Sequence, residues 1–596
     1  MNVLILFLIS AGLFYLGYRY YASFIERTFE VDGTHVTPAV EINDGVDYVP
    51  TRKFVIFGHH FASIAGGGPI IGPTVAMIFG YLPVWLWILI GTLLMGTVHD
   101  FSALLASMRE NGRSIARIAQ STLGRSGFLM FMGFTIIMLL MLTSVFLTLT
   151  TTALSSKYPV SYFGSAHLPI KTAVENGVTY AVIGGIASTS VIIITLFAPL
   201  IGWLLYKKKA KTLQVSLLSI AICLLSIPIG FHFPIHINST LWMIIISIYT
   251  LIAAGIPVWI ILQPRDFTNS FLLYGGLGVM IIGTIISGFN GTTMLAPISN
   301  IADGNAHLGY VWPILFITVA CGAISGFHSL VAGGTTSKQV EKEKPDAKTV
   351  AFGGMVLESL LAIGVMIAIG VGLPFDQYTA LVFPVDPSIK SNPILAFALG
   401  IGGFVNKSFG WPMVYGTIFG ILMVEGFVVT TLDTAVRLNR YLFEELWSML
   451  FKKVPKLMST YIFNSLICVV LMFFLAYFNA FKHLWQLFGS ANQLLAALTL
   501  LTVGLWLMKK GRRYFFAILP GLFMLATTLA ALFLVLFKDY LPRHNIVLSL
   551  GDMILIGLAI GVIILGIRTF RNTKHILATT DQQPENRIHG KNITTK

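Results

Sequence analysis

The chain has 596 residues, of which 56% are hydrophobic and 11% charged, and its mean hydropathy is +0.81. An ordinary soluble domain carries about 25% charged residues, so the surfaces of several soluble domains could not be coated with so few. This excludes a soluble enzyme, a disordered tail protein and a DNA-binding module, and leaves a multi-spanning membrane protein. The net charge of +14 therefore has to be read from where the basic residues stand. Cys223, Cys321 and Cys468 sit far apart in apolar runs, with no CxxC pair, and read as small core residues.

A helix that crosses a bilayer needs about 20 mostly apolar residues. Fifteen stretches qualify: 3–22, 54–80, 83–107, 127–153, 180–206, 213–231, 239–262, 270–289, 312–333, 350–373, 411–432, 460–480, 484–508, 514–538 and 550–570. A sixteenth, 394–405, is about half a span and reads as re-entrant or as a broken lead-in to the eleventh helix. The first stretch lacks the basic start and small-residue cleavage site of a signal peptide. Arg19, Arg27, Arg52 and Lys53 follow it, which places its far end in the cytoplasm and the N-terminus outside. Alternation then puts 22 Lys and Arg in the cytoplasmic connections, Arg265 and Lys338 among them, against seven on the other side, Lys390 among those. The C-terminus is expected in the cytoplasm, and the tail after Asn572 is expected to be disordered. No connection is long enough for a soluble domain, so the activity is expected inside the bilayer.

Span 2 carries Gly66, Gly67, Gly68, Pro69, Ile70, Ile71, Gly72 and Pro73 at mid-membrane. Two prolines and four glycines in eight residues do not make an unbroken helix. Irregular backbone at that depth is tolerated only where protein surrounds it or where it lines a cavity. Span 7 carries Gly255 and Pro257, read as a second mid-span interruption. Spans 2–6 start at the cytoplasmic face and spans 7–11 outside, so each set of five opens with an interrupted helix. That is the pattern of a 5+5 inverted-repeat transporter. The expected organisation is 1–53, a first helix and loop; 54–231 and 232–432, the two repeats; 433–570, four further helices; and 571–596, a polar cytoplasmic tail. The substrate site is expected between the breaks, at Gly66, Gly68, Pro69, Gly72, Pro73, Gly255 and Pro257.

A titratable group inside the bilayer is costly and marks function by default. His59 and His60 precede the span 2 break, Asp100 lies in span 3 beside His99, and Ser325, His328 and Ser329 lie in span 9. Histidine titrates near neutral pH, which suits a proton relay, and spans 2 and 9 are expected to be neighbours. Glu425 in span 11 is a further proton-carrier candidate, and Glu358 begins span 10. Asp433 and Arg437, four apart, are expected to pair on one helical face. Asn492 and Gln493 are expected to bond between helices outside the ten-helix core. His59 and His60 point about 100° apart on a helix, poor geometry for a shared metal, so neither a metal nor any other cofactor is expected.

The stretches GHHFASIAGGGPIIGP (58–73), DFSAL (100–104), PVWIILQPRDF (257–267), GFHSLVAGGTTSKQ (326–339), TTLDTAVRLNRY (430–441) and GSANQLLAALTL (489–500) closely resemble the bacterial carbon starvation protein A family. The match runs in order across nearly the whole chain. His99 departs from the glutamine expected in some members, and Gly67 from a frequent alanine. The resemblance implies a cytoplasmic-membrane transporter that supports growth when preferred carbon runs out. Members are associated with peptide uptake, and others look like proton-coupled pyruvate carriers. The family is grouped with amino acid–polyamine–cation type carriers, which agrees with the 5+5 pattern.

The combined reading is an all-α membrane protein of about 15 helices acting as a secondary active symporter, not an enzyme. It takes peptide or pyruvate at the breaks, and protons at His59, His60, Asp100, His328 or Glu425. No Walker A motif is present. The partners expected are the substrate, protons and the lipid bilayer, with no nucleic acid. The alternatives are a nutrient sensor without net transport, and a carrier of another small carboxylate coupled to sodium held at Ser325 and Ser329.

Overall fold

The computed structural model describes residues 2–163, 171–175, 177–386, 391–478 and 481–581. Lys390 and residues 582–596 of the tail lie outside them, while 573–581, expected to be disordered, continue the last helix. The chain is built from helices in this order: α1 Val3–Phe29, α2 Lys53–Ile64, α3 Gly68–Ala76, α4 Tyr81–Arg109, α5 Ile115–Leu154, α6 Ile183–Lys207, α7 Thr212–His232, α8 Ser239–Gly255, α9 Leu262–Phe289, α10 Gly326–Gly334, α11 Glu343–Gly372, α12 Pro393–Phe409, α13 Met413–Leu450, α14 Tyr461–Phe478, α15 Leu484–Lys509, α16 Phe515–Tyr540 and α17 Ile546–Lys574. Among the described residues, 13 helices are long and apolar enough to cross a membrane. Among the described residues, the strands form one small antiparallel sheet between α5 and α6, ordered Tyr158–Pro159, Val178–Ala181, Thr172–Glu175.

Burial sorts the helices into a centre and a rim. The most apolar window of α2–α3 is 100% buried, that of α15 94%, α11 83% and α13 82%, while α1 and α17 are 28% buried. A rim helix turns leucine and isoleucine to lipid, so apolar exposure there carries no penalty. Helix α15, expected outside the ten-helix core, is deeply buried and packs against α10 and α5.

Three local differences from the expected spans have physical causes. Helix α5 is 40 residues long because a lead-in at 115–123 joins the expected span through Gly124, which takes φ +79, a region closed to most side chains. Helix α12 is capped by the Asn392 side chain, which accepts from Leu395 N at 3.0 Å, and stops at Gly410 with φ +71. Asn392 N bonds Leu381 O in the short helix Phe375–Val382, while Ser408 meets Ser287 at 2.8 Å and Lys407 Nζ meets Val371 O at 2.8 Å, at the ends of α9 and α11. The stretch 394–405 is thus part of one unbroken helix, about 25 Å long. The third difference concerns the breaks. Helix α8 ends at Gly255, and Pro257 lies in the turn before α9. The interruption expected in mid-span is a helix end, because Ile256 and Pro257 start a connection whose Ile256 carbonyl takes Arg437 Nη1 at 2.6 Å.

Candidate functional site

The second mid-membrane break lies in the ninth expected span. Residues 311–318 are helical, 319–325 are not, and α10 resumes at Gly326. Small residues allow it: Ala320, Cys321, Gly322, Ala323 and Ser325 hold the backbone with little side-chain bulk. With no proline and an apolar average, the sequence gives this break a weak signal. It sits directly against the first break, at 65–67 between α2 and α3. A Cβ on Gly68 would lie 2.3 Å from Cys321 Cβ, one on Gly72 2.8 Å from Thr318 O, and one on Gly66 2.6 Å from Thr431 Oγ1. Pro69 occupies the first turn of α3, where its missing N–H costs nothing, and Pro73 lies inside that helix.

The freed backbone groups are partly held by neighbouring side chains. Thr431 Oγ1 donates to Ser63 O at 3.1 Å, and Trp87 Nε1 to Val319 O at 3.0 Å. Asn492 Oδ1 accepts from Phe327 N at 2.9 Å, Asn492 Nδ2 donates to Ser325 Oγ at 3.0 Å, and Gln493 Nε2 donates to Phe316 O. Asn492 and Gln493 are therefore interhelical bonds, and they are the ones that fasten the second break to α15. Helices α3 and α10 both begin at the breaks, so two N-terminal, partially positive helix ends converge there.

Two buried charge centres flank the breaks. In the first, Asp100 on α4 takes His99 Nδ1 at 2.8 Å on one oxygen and His328 Nδ1 at 2.8 Å on the other. His328 Nε2 stands 3.2 Å from Glu358 Oε2 on α11. All four side chains are fully buried. In the second, His59 Nδ1 meets Asp266 Oδ2 at 2.9 Å. Arg265 Nη2 lies 3.3 Å from Asp266 Oδ1, and Arg265 Nη1 lies 2.7 Å from Asp433 Oδ2. The Tyr249 hydroxyl donates to Asp433 at 2.9 Å and accepts from Arg265. Arg265, expected in a cytoplasmic connection, is instead 1% exposed inside α9. Asp266 and Asp433 compensate its charge, as an arginine buried this deeply requires.

The remaining candidates are placed as follows. His60 turns away from His59 and its Nδ1 meets Thr336 Oγ1 at 2.8 Å. Ser325 faces Asn492, and Ser329 bonds Gly326 O and Thr499 on α15, so both serines turn toward α15. Glu425 is buried on α13, two turns before Asp433. Gly255 and Pro257 lie beside Arg437, away from the facing breaks. Asp433 pairs with Arg265, and Arg437 with Asp47 at 3.4 Å, so the expected Asp433–Arg437 pair is replaced by two tertiary ones. Sequence reasoning missed Asp266, Tyr249 and the contact of Glu358 with His328. The signal for Asp266 was an Arg-Asp pair entering an apolar run.

The two centres differ in composition. The second sets one guanidinium against two carboxylates and an imidazole, and the first sets two carboxylates against two imidazoles. Buried charges need partners, and each centre pairs its own charged and titratable groups with one another.

Residues 2–390 and 373–531 match the family model described as Carbon starvation protein CstA. The chain is 33% identical over 590 residues to the peptide transporter CstA of Helicobacter pylori strain J99, covering 88% of this chain and 81% of that protein. It is 30% identical over 602 residues to the peptide transporter CstA of Bacillus subtilis strain 168, covering 95% and 96%. It is 30% identical over 611 residues to the pyruvate/proton symporter BtsT of Escherichia coli K12, covering 89% and 81%.

Proposed function

The chain belongs to the Carbon starvation protein CstA family, and from that premise we propose that it is a proton-coupled uptake carrier for a small carboxylate-bearing nutrient, a peptide or pyruvate. It is a transporter and not an enzyme, it works in the bacterial cytoplasmic membrane, and its N-terminus faces outside and its tail the cytoplasm. The observation that carries the reading is the contact of two broken helices beside the buried Asp100–His328–Glu358 chain. The substrate carboxylate sits at the N-terminal ends of α3 and α10, against Gly66, Gly68, Pro69, Gly72 and Pro73. A proton on the chain through His328 offsets the charge brought in, because a buried anion without compensation is costly. The His59–Asp266–Arg265–Asp433 centre ties α2 to α9 and α13 and senses the same movement of α2.

The inverted-repeat reading is refined by the same contacts. Helix α3 packs on α11, and α10 packs on α4, so each broken helix rests on the helix that follows the other. The pair we take as related is therefore 53–109 with 311–372, in place of repeats opening at 54 and 232. One bundle rocking against the other exposes the breaks to each side in turn.

The test compares Glu358→Gln and His328→Asn with the unmodified protein in liposomes. Gradient-driven accumulation of labelled pyruvate or dialanine is expected to fall to background, while exchange of labelled for unlabelled substrate without a gradient persists. Loss of both activities together, in a protein that remains folded, would instead place these residues in substrate binding.

A further inference from the structure

The motif stretches 326–339 and 430–441 run past the breaks and end around a cavity at the far ends of α10 and α13. It has a volume of about 150 Å³, and its wall includes Tyr48, Arg113, Ser114, Lys338, Tyr441 and Glu445. Lys338 reaches into it between two aromatic faces, its Nζ 5.3 Å from the Tyr48 ring centroid and 5.0 Å from that of Tyr441. Gly112, at φ +71, lets the lysine stem lie against the chain, since a Cβ there would stand 3.2 Å from Lys338 Cγ.

The acids around the cavity are already engaged. Glu445 takes Ser114 at 3.1 Å and lies 3.8 Å from Arg117 Nε, and Asp47 takes Arg437 and the Tyr441 hydroxyl. Among the described residues, no carboxylate or other acceptor hydrogen-bonds the Lys338 ammonium. Burial pushes that ammonium below the ordinary lysine range, and Asp47 and Glu445 pull it back. The cavity thus presents a cation held by π-faces, with Arg113 also in its wall.

We propose that this cavity is a second binding site, for a small organic carboxylate, at the mouth of the pathway that leads from the facing breaks. The proposal rests on the transport reading for its side of the membrane and for which carboxylate fills it. The cavity is compact, and Glu445 on its wall disfavours a second negative charge, so a monocarboxylate fits better than a phosphate dianion. Its position at the ends of α10 and α13, which carry His328 and Glu425, gives an occupant two roles: substrate on its way out, or a cytoplasmic metabolite that slows release.

The test is thiol protection in detergent, without any gradient, so that a failure of transport leaves it unaffected. Ser114→Cys places a reactive thiol on the wall, and the native cysteines are buried. Labelling by a small neutral methanethiosulfonate is timed with acetate, pyruvate or dialanine, and with acetamide as the uncharged control. Carboxylate at about ten times its dissociation constant is expected to slow labelling about tenfold, since protection follows occupancy, and acetamide at the same concentration is not. Adding Lys338→Met is expected to abolish protection, and Lys338→Arg to retain it. Arg113→Gln serves as the second variant if Lys338→Met does not fold. Protection by pyruvate or dialanine alone assigns the site to departing substrate, and protection by acetate as well assigns it to a general carboxylate effector. Equal labelling with every carboxylate, or protection undiminished by Lys338→Met, overturns the proposal.

Discussion

Gly68→Ala is the sharpest probe of the facing breaks. The added Cβ would stand 2.3 Å from Cys321 Cβ and 2.4 Å from Cys321 Sγ, well inside any tolerated carbon contact. One of the two breaks has to move, and Gly72 pins the neighbouring turn against the Thr318 carbonyl at 2.8 Å. Overpacking of this kind costs about 1–3 kcal/mol, so transport is expected to fall by about five- to a hundred-and-fiftyfold if the productive arrangement bears that cost. The obstruction is the side chain of Cys321 and not its backbone, since Cys321 Cα is 3.6 Å away. Cys321→Gly in the double variant is therefore expected to restore most of the loss, with a coupling energy of about 0.5–3 kcal/mol. The assay is initial uptake by both single variants, the double variant and the unmodified chain in liposomes, normalised to folded protein. A Gly68→Ala carrier with unmodified rates, or a double variant no better than the single, refutes the contact as the basis of the site.

Further outcomes follow from the charge centres. Arg265→Met leaves Asp266 and Asp433 without their cation and is expected to destabilise the fold by about 3–5 kcal/mol, read as a drop in thermal midpoint. Adding Asp433→Asn is expected to recover part of that loss. Asn492→Ala frees the Phe327 amide and Ser325 together and is expected to cost about 1–3 kcal/mol, while Asn492→Asp, which keeps the acceptor, is milder toward the amide. Burial raises the Asp47 carboxyl, but Arg437, Tyr441 and Lys338 outweigh it and hold it below the usual carboxylate range. Its stabilising contribution is therefore complete above about pH 4, the unfolded value, and is lost as pH falls through the lower folded value. Asp47→Asn is expected to flatten that acid limb in a thermal melt and to leave the neutral limb parallel.

The fold class was legible because hydropathy and break residues act locally. Gly66 through Pro73 announce a break, since glycine and proline in that density disfavour a continuous helix, and the break falls at 65–67, with Gly68 to Pro73 opening α3. The break at 319–325 was not legible, because Val319, Ala320, Cys321 and Ala323 average as an apolar span. What opens that helix is the contact with Gly68 and Gly72 and the bonds from Asn492, all distant in sequence. The same distinction separates the charged residues. His328 and Asp100 stood out as titratable groups in apolar runs. Arg265 and Asp433 looked like a loop residue and half of a local i,i+4 pair, because their pairing with each other across α9 and α13 exists only in the folded bundle. Lys338 looked like one of many residues fixing orientation, and only the cavity around it sets it apart.

The most direct measurement is uptake by the purified chain in liposomes under an imposed inward proton gradient, with labelled pyruvate and labelled dialanine compared. Accumulation of either above equilibrium, abolished when the gradient is collapsed, is the result the account predicts. Saturable binding with no accumulation of either compound, under a proton or a sodium gradient, would contradict it and favour a sensor that uses the same breaks without net transport.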